Sequence, residues 1–338
     1  MSKVSVIIPS LNEENFIKKC LESIVHQDYP KDDLEVLVVD GMSEDKTREI
    51  VQDYSRRYPF IKLLDNPKRF TPFGLNIGIK NAQGQIILRM DAHAQYSNDY
   101  IRKCVENLEK YNVDNVGGII KTIPSKNTLV AKAIALCLSH SFGTGDAYFR
   151  IGCREPQFVD TVFGGCYRRE VFDKIGLFNE KMIRSQDIEF NLRLREKGGK
   201  ILLVPDIVSY YYPQSNLLGF LRHNFLDGIW VTYPLKFGIQ PFSWRHLTPL
   251  SFLLITGLSF LLSFISKFFL ILFIVIISWY ITFLIYFSFK IAKREKDLRL
   301  LFLMPIVFLS RHLGYGLGSV WGLLKIFFCD GGKKTKGN

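Results

Sequence analysis

Apolar residues follow two different rhythms along this chain. Near the start, residues 4–8 form a short β-branched run closed by Pro9, and residues 13–26 then place Phe16, Ile17, Cys20, Leu21, Ile24 and Val25 at helical spacing. The alternation continues with a buried strand at 34–39, a helix at 47–58, a strand at 61–64, a helix at 73–82 and a strand at 85–90 that runs into Asp91. Strands alternating with helices at this spacing predict an α/β domain with a mostly parallel sheet flanked by helices. Ligands of such sheets bind beyond the carboxyl ends of the strands. The residues to watch are therefore Pro9-Ser10-Leu11-Asn12-Glu13, Asp40-Gly41 and Asp91-Ala92-His93.

The second rhythm is continuous. Residues 247–266 and 268–289 contain no Asp, Glu, Lys or Arg, and each run has about the 20 residues that a helix needs to cross a bilayer. Both are expected to be membrane helices. A third apolar stretch, 300–324, is interrupted by Arg311 and His312 and carries Gly314, Gly316, Gly318 and Gly322; spanning, re-entry and an interfacial position all stay open for it. The expected division is a domain over 1–240, a membrane region over 241–326 and a basic tail over 327–338.

Charge adds an orientation. The chain of 338 residues carries a net charge of +12 although 48% of it is hydrophobic and 28 residues are Phe. Five basic residues lie in 290–299, and Lys325, Lys333, Lys334 and Lys336 follow the third stretch. Both clusters read as cytoplasmic, which makes the first two apolar runs a hairpin turning at Lys267 and leaves 1–240 on the cytoplasmic side of a cell (inner) membrane. These clusters account for nine basic residues, so the net charge does not call for nucleic acid. The apolar run at 4–8 is too short for a signal peptide. Cys20, Cys104, Cys137, Cys153, Cys166 and Cys329 show no metal-ligand spacing and suit a reducing compartment.

The segments VSVIIPSLNEENFIKKCLESI, EVLVVDGMSEDKT, GLNIGIKNAQGQIILRMDAH, FGGCYRREVF and SQDIEFNLRLREKG, in this order over roughly residues 4–240, resemble the family 2 glycosyltransferases of GT-A fold. Within that family the DAH triplet and the C-terminal apolar region look most like the succinoglycan-type glucosyltransferases of exopolysaccharide assembly. The resemblance implies a nucleotide-diphospho-sugar fold, a UDP-sugar donor and a divalent ion, Mn²⁺ or Mg²⁺, held against the diphosphate.

Transfer from a sugar nucleotide needs a cation at the departing phosphates and a base at the attacking hydroxyl. Asp91 resembles the first carboxylate of the family's DxD motif, and a hard oxygen suits either ion. His93 stands where the family usually has a second Asp; on an extended backbone it would share a face with Asp91 and complete a metal pair, or it would donate to phosphate instead. A turn capped by Asp91 and His93 is the plain structural alternative. Asp40 resembles the residue that accepts hydrogen bonds from the uracil or ribose, with Pro9, Ser10, Asn12 and Glu13 as the rest of the nucleotide cradle; capping by Ser10 and Asn12 is compatible with that role. Asn76 is mainly structural and a nucleotide neighbour by resemblance. Gly164 and Gly165 match the loop beside the donor sugar, or form an ordinary tight turn.

Asp187 matches the family's catalytic base, with Gln186 in place of the usual Glu and Glu189 in reserve; its alternative is a first-turn acid on a helix dipole. Arg193 and Arg195 read as helix-face residues. Arg222 and His223 fall where processive members carry a QxxRW motif that this chain lacks, which argues against a polymer-extruding synthase. Arg222 would touch a phosphate or snorkel at the membrane surface. Residues 139–158 read as one long acceptor-selecting loop. The expected function is transfer of a hexose, glucose first, to a lipid-linked saccharide acceptor. A nucleotidyltransferase and an inactive membrane scaffold are the rival classes.

Overall fold

Alternate burial along the first strand organises the sheet. Val4, Val6 and Ile8 enter one apolar core and Ile7 enters another, because successive side chains of a strand point to opposite faces. The computed structural model describes residues 2–239 and 243–328. In chain order its first elements are β1 (Val4–Ser10), α1 (Ile17–Val25), β2 (Leu34–Asp40), α2 (Thr47–Arg57), β3 (Ile61–Asp65), α3 (Thr71–Asn81) and β4 (Ile86–Arg89). There follow β5 (Ala94–Tyr96), α4 (Tyr100–Lys110), β6 (Asn115–Thr122), α5 (Leu129–Leu138), α6 (Ser141–Thr144) and α7 (Tyr148–Ile151). Next come β7 (Gln157–Phe158), β8 (Cys166–Arg168), α8 (Glu170–Ile175), α9 (Gln186–Glu196) and β9 (Ile201–Tyr211). Helices close the chain: α10 (Leu217–Thr232), α11 (Trp244–Leu262), α12 (Lys267–Glu295) and α13 (Arg299–Phe328).

The chain forms two compact units, one made of residues up to Thr122 with Ala147–Tyr212, the other of Ile123–Asp146 with the chain from Pro213 on. The first unit holds a mixed sheet in the order β3-β2-β1-β4-β8-β6-β9-β5, with β7 on β9. The strands predicted from sequence, β1 to β4, are mutually parallel. Beyond them β8 runs antiparallel to both β4 and β6, which turns the sheet mixed. One face packs on α1, α2 and α4 through Ile17, Leu21, Val51, Ile101 and Leu108; the other packs on α3, α8 and α9 through Leu75, Ile79, Phe172 and Phe190.

Residues 123–146 and 213–239, inside the domain expected over 1–240, group with the second unit. There Ala133, Ile134, Cys137 and Phe220 share a core with Leu300, Met304, Val307 and Phe308. The stretch 139–158 is not one loop: it contains α6 and α7 and is divided between the two units after Asp146. Three helices of the second unit, Trp244–Leu262, Lys267–Glu295 and Arg299–Ile326, are long and apolar enough to cross a membrane.

The third apolar stretch is one uninterrupted helix, so re-entry falls away. Its glycines face a neighbour: a Cβ on Gly318 would lie 2.0 Å from the Phe225 carbonyl oxygen of α10, and one on Gly228 would lie 2.0 Å from that of Tyr315. Small residues here permit backbone contact. Arg311 turns inward too, donating to Asn224 and, at 3.2 Å, to the Gly143 carbonyl, while His312 pairs with the Phe142 carbonyl at 2.7 Å. Lys333, Lys334, Lys336, Cys329 and nearly all of the expected basic tail lie outside the described residues.

Candidate active site

Asp40 ends β2 and is fully buried. Its Oδ1 accepts from the Ser43 hydroxyl at 2.6 Å and the Ser10 hydroxyl at 3.3 Å; its Oδ2 accepts from the Ser43 N–H and Arg48 Nη1, both at 2.8 Å. Arg48 continues to Asp65 at 2.8 Å, and these two carboxylates raise its pKa. An Asp that bonds the backbone three residues on makes a compact turn, which is the local signal for this nook. Asn12, in the left-handed region at φ 55°, laces it to β1: its N–H donates to Ser43 Oγ at 2.8 Å, and its Oδ1 accepts from the Glu44 N–H at 2.9 Å. Glu13 is fixed in the same loop by its N–H on Thr47 Oγ1 at 2.7 Å. Pro9 and Ser10 are the last two residues of β1. In this conformation the Asp40 carboxylate is saturated by its own chain.

Asp91 lies just beyond β4, and the backbone does not stay extended: the Ala94 N–H returns to the Asp91 carbonyl at 3.2 Å, closing a turn over Ala92 and His93. The premise that Asp91 and His93 share one strand face therefore fails. His93 Nδ1 is instead 3.1 Å from Glu13 Oε1, and its ring meets the edge of Tyr211. Burial opposes the imidazolium, but the Glu13 hydrogen bond and the Asp91 and Glu13 charges outweigh it, so the pKa of His93 is raised. Behind the turn, the Tyr96 hydroxyl accepts from the Asp91 N–H at 2.7 Å. Burial, and then the charge of Asp91, push up the pKa of the Cys20 thiol.

Asp187 is the second residue of α9, and it is brought to Asp91 by a residue that the sequence reading missed. Arg89, at the end of β4, places Nη2 3.1 Å from Asp91 Oδ1 and Nη1 3.6 Å from Asp187 Oδ2. The Arg89 side chain is 9% exposed, while those of Asp91 and Asp187 are 14% and 26% exposed, so the carboxylates form the open rim of a buried cation. Asp91 and Asp187 together raise the pKa of Arg89 against the opposing effect of burial. Its sequence signal was weak: an Arg two residues before Asp91, the spacing of one strand face.

Gly164 and Gly165 hold this arrangement from the side. Their φ values are +70° and +103°, a Cβ on Gly164 would stand 2.7 Å from the Arg89 carbonyl oxygen, and the Gly165 carbonyl accepts from the Arg89 N–H at 3.0 Å. Only glycine meets both demands. Two other candidates have structural duties. Glu189 is buried against Arg193 at 2.6 and 3.0 Å, and Arg193 also donates to the Ile175 and Leu177 carbonyls, so it is a bolt rather than a plain helix-face residue. Asn76 exchanges hydrogen bonds with the Phe178 backbone at 2.9 and 3.0 Å and donates to Glu180, tying α3 to the segment before α9. Arg222 and His223 lie on α10 in the second unit, where His223 Nε2 is 3.4 Å from Asp227.

The donor set fits a divalent ion that completes its shell with substrate oxygens. No group of three or more His, Cys, Asp or Glu converges among the described residues, so the protein alone supplies no closed cage. Asp91 offers a hard oxygen. Nδ1 of His93 is turned to Glu13, the carboxylate–imidazole arrangement common to metal-bound histidines, so Nε2 is the ring nitrogen that would face an ion.

The sequence profile of glycosyl transferase family 2 matches residues 5–176. Among similar proteins is the dolichyl N-acetyl-alpha-D-glucosaminyl phosphate 3-beta-D-2,3-diacetamido-2,3-dideoxy-beta-D-glucuronosyltransferase of Methanococcus voltae, 34% identical over 76% of this chain and 83% of its own. The succinoglycan biosynthesis protein ExoA of Rhizobium meliloti (strain 1021) is 27% identical over 68% of this chain and 74% of its own. Among solved structures, the mannosyltransferase PcManGT from Pyrobaculum calidifontis, in complex with GDP-Man and Mn²⁺, aligns over 97% of this chain and 88% of its own at 17% identity, with a TM-score of 0.62. With the GT-A fold, and with a family profile and a relative that each span at least half of it, this chain is a glycosyltransferase and belongs to glycosyl transferase family 2.

Proposed function

We propose that this enzyme is a membrane-anchored, metal-dependent, inverting glycosyltransferase. It moves one hexose from a UDP-sugar, glucose first, to a lipid-linked saccharide acceptor at the cytoplasmic face, in assembly of a cell-surface or extracellular polysaccharide. The observation that carries this reading is the meeting of Asp91 and Asp187 on Arg89 from segments almost a hundred residues apart. One carboxylate suits the diphosphate end of a donor and the other suits the acceptor end.

In this scheme Asp187 takes the proton of the acceptor hydroxyl as that oxygen attacks the anomeric carbon from the face opposite the nucleotide. The new C–O bond forms, the bond to the diphosphate breaks, and UDP leaves with the electron pair. Asp91 and His93 would hold the divalent ion, which when bound neutralises charge on the departing diphosphate. Asp40, Ser10, Asn12, Glu13 and Pro9 shape the nucleotide end through the loops they brace, and Gly164 and Gly165 leave room beside the donor sugar. The three long apolar helices favour a lipid-linked acceptor, since anchoring concentrates enzyme beside such a substrate. The relative from Methanococcus voltae, named for a dolichyl phosphate-linked acceptor, points the same way.

The test is transfer by membranes carrying the protein, given labelled UDP-glucose, UDP-galactose, UDP-N-acetylglucosamine, UDP-glucuronate or GDP-mannose with Mn²⁺ or Mg²⁺. Label entering a lipid extract from UDP-glucose, and lost with chelator, is the expected result. Label from GDP-mannose alone would refute the UDP assignment, and activity that survives chelation would remove the metal from Asp91. For the anchor, a cysteine at Ser263, between α11 and α12, is expected to react with an impermeant reagent from outside, and one at Lys296 is not. The reverse pattern would invert the orientation.

A further inference from the structure

Arg89 is unusual as a buried residue because its fork is incompletely used. Nη2 donates to Asp91 Oδ1 at 3.1 Å, but the 3.6 Å from Nη1 to Asp187 Oδ2 is an ion pair too long for a hydrogen bond. Nε and Nη1 are both buried without a hydrogen-bond acceptor. Burying donors in this state is destabilising, and a residue serving stability alone at this depth would be apolar or fully bonded. Arg311 in the second unit shows the satisfied alternative, with Asn224 and the Gly143 carbonyl as acceptors.

The surroundings hold the backbone of Arg89 still. Arg89 is set in β4, its N–H bonds the Gly165 carbonyl at 3.0 Å, and Gly164 packs on its own carbonyl. Asp187 is fixed from its other side, where Oδ1 accepts from the Ile188 N–H at 3.0 Å. Ahead of it Ser185, just before α9, lies in the left-handed region at φ 55°, a conformation costly for a residue other than glycine. Both carboxylates thus meet one planar guanidinium, and the longer of the two contacts is that of Nη1 with Asp187. Catalytic hydrogen bonds are often long in the free enzyme and tighten when substrate binds.

Resting on the assignment of Asp187 as base and Asp91 to the diphosphate end, we propose that Arg89 is the positioning residue of the transfer. Its two terminal nitrogens keep the Asp91 and Asp187 carboxylates at a fixed separation, so that the acceptor oxygen activated by Asp187 is aligned with the anomeric carbon whose leaving group lies at Asp91. Lysine cannot replace it, because an ammonium is a point charge without the planar fork.

The experiment compares the full chain with Arg89→Lys, Arg89→Gln, Asp187→Asn and the Arg89→Lys/Asp187→Asn pair. Turnover is measured with the donor that the panel identifies, binding is measured with UDP plus Mn²⁺, and folding is followed by thermal unfolding. Arg89→Lys is expected to lower kcat about 100-fold through misalignment of the base. Donor KM and UDP–Mn²⁺ affinity should stay within about threefold, because the interaction lost matters in the transition state and not in the ground state. In the Asp187→Asn background the same change should cost less than about twofold, since the two residues act as one unit. The proposal is overturned by a kcat for Arg89→Lys within about threefold of the parent, by a rise in KM alone, or by a full additive loss in the double variant. Loss of folded protein in both Arg89 variants would also overturn it, by making Arg89 a stability residue. If Asp187→Asn alone keeps parental kcat, the base assignment fails first and the positioning role falls with it, a result distinct from all of these.

Discussion

Two carboxylate sites at the strand ends of the first unit solve opposite problems. At Asp40 a fully buried carboxylate receives donors on both oxygens from Ser10, Ser43 and Arg48. At Asp91 and Asp187 two partly open carboxylates share one buried guanidinium that keeps unpaired N–H groups. The first pattern is that of a structural joint, in which every buried polar atom is matched. The second leaves acceptor capacity and charge at a rim where substrate atoms can enter, the condition for chemistry rather than for rigidity. Most partners of Asp40 lie within eight residues of it along the chain; those of Arg89 include one almost a hundred residues away.

The contrast can be broken most sharply at Asp187. Asp187→Asn keeps the shape and removes the proposed base, so transfer should fall about 1,000-fold with UDP binding unchanged. Parental turnover would assign the open pair to structure. Next in size, Asp40→Ala removes the carboxylate from Arg48 and the Ser43 turn and should lower the free energy of unfolding by about 3 kcal/mol in a urea titration of solubilised protein. A loss below about 0.5 kcal/mol would show that the joint is not structural. Gly164→Ala forces a Cβ against the Arg89 carbonyl at a positive φ and should destabilise by about 2 kcal/mol while shifting the end of β4. The same titration reads it, and a neutral result would free Arg89 from this constraint. The smallest effect is expected for Glu13→Gln. By loosening the ring of His93 it should weaken Mn²⁺ binding about tenfold in the presence of UDP, and calorimetry showing parental affinity would exclude the Glu13–His93 pair from the proposed metal site.

What was legible depended on the range of the interaction. The positions of β2 and β4 were readable because apolar runs such as EVLVVD announce a buried strand without reference to anything distant, whereas Pro9, expected to close β1, lies inside it. The premise that His93 and Asp91 share one strand face failed because it assumed an extended backbone, and the Tyr96 hydroxyl with the Ala94 return bond stabilises a turn instead. Ser43 and Arg48 escaped notice although they are local, because an Asp with a Ser three residues later is common in turns that bind nothing. Helix α13 was misread at its glycines for the opposite reason: small residues loosen an isolated helix but let a packed one approach its neighbour.

By itself, then, the sequence determined the alternation of strands and helices, the turns at the strand ends, the apolar helices of membrane length and the carboxylates suited to the proposed chemistry. Each of these follows from local periodicity and residue type. Only the tertiary structure decided that β8 enters antiparallel between β4 and β6, that residues 123–146 join the C-terminal helices, and that Arg89 lies between Asp91 and Asp187. These are pairings between distant segments, and their free energy comes from burying specific surfaces and charges against one another, which no local pattern records.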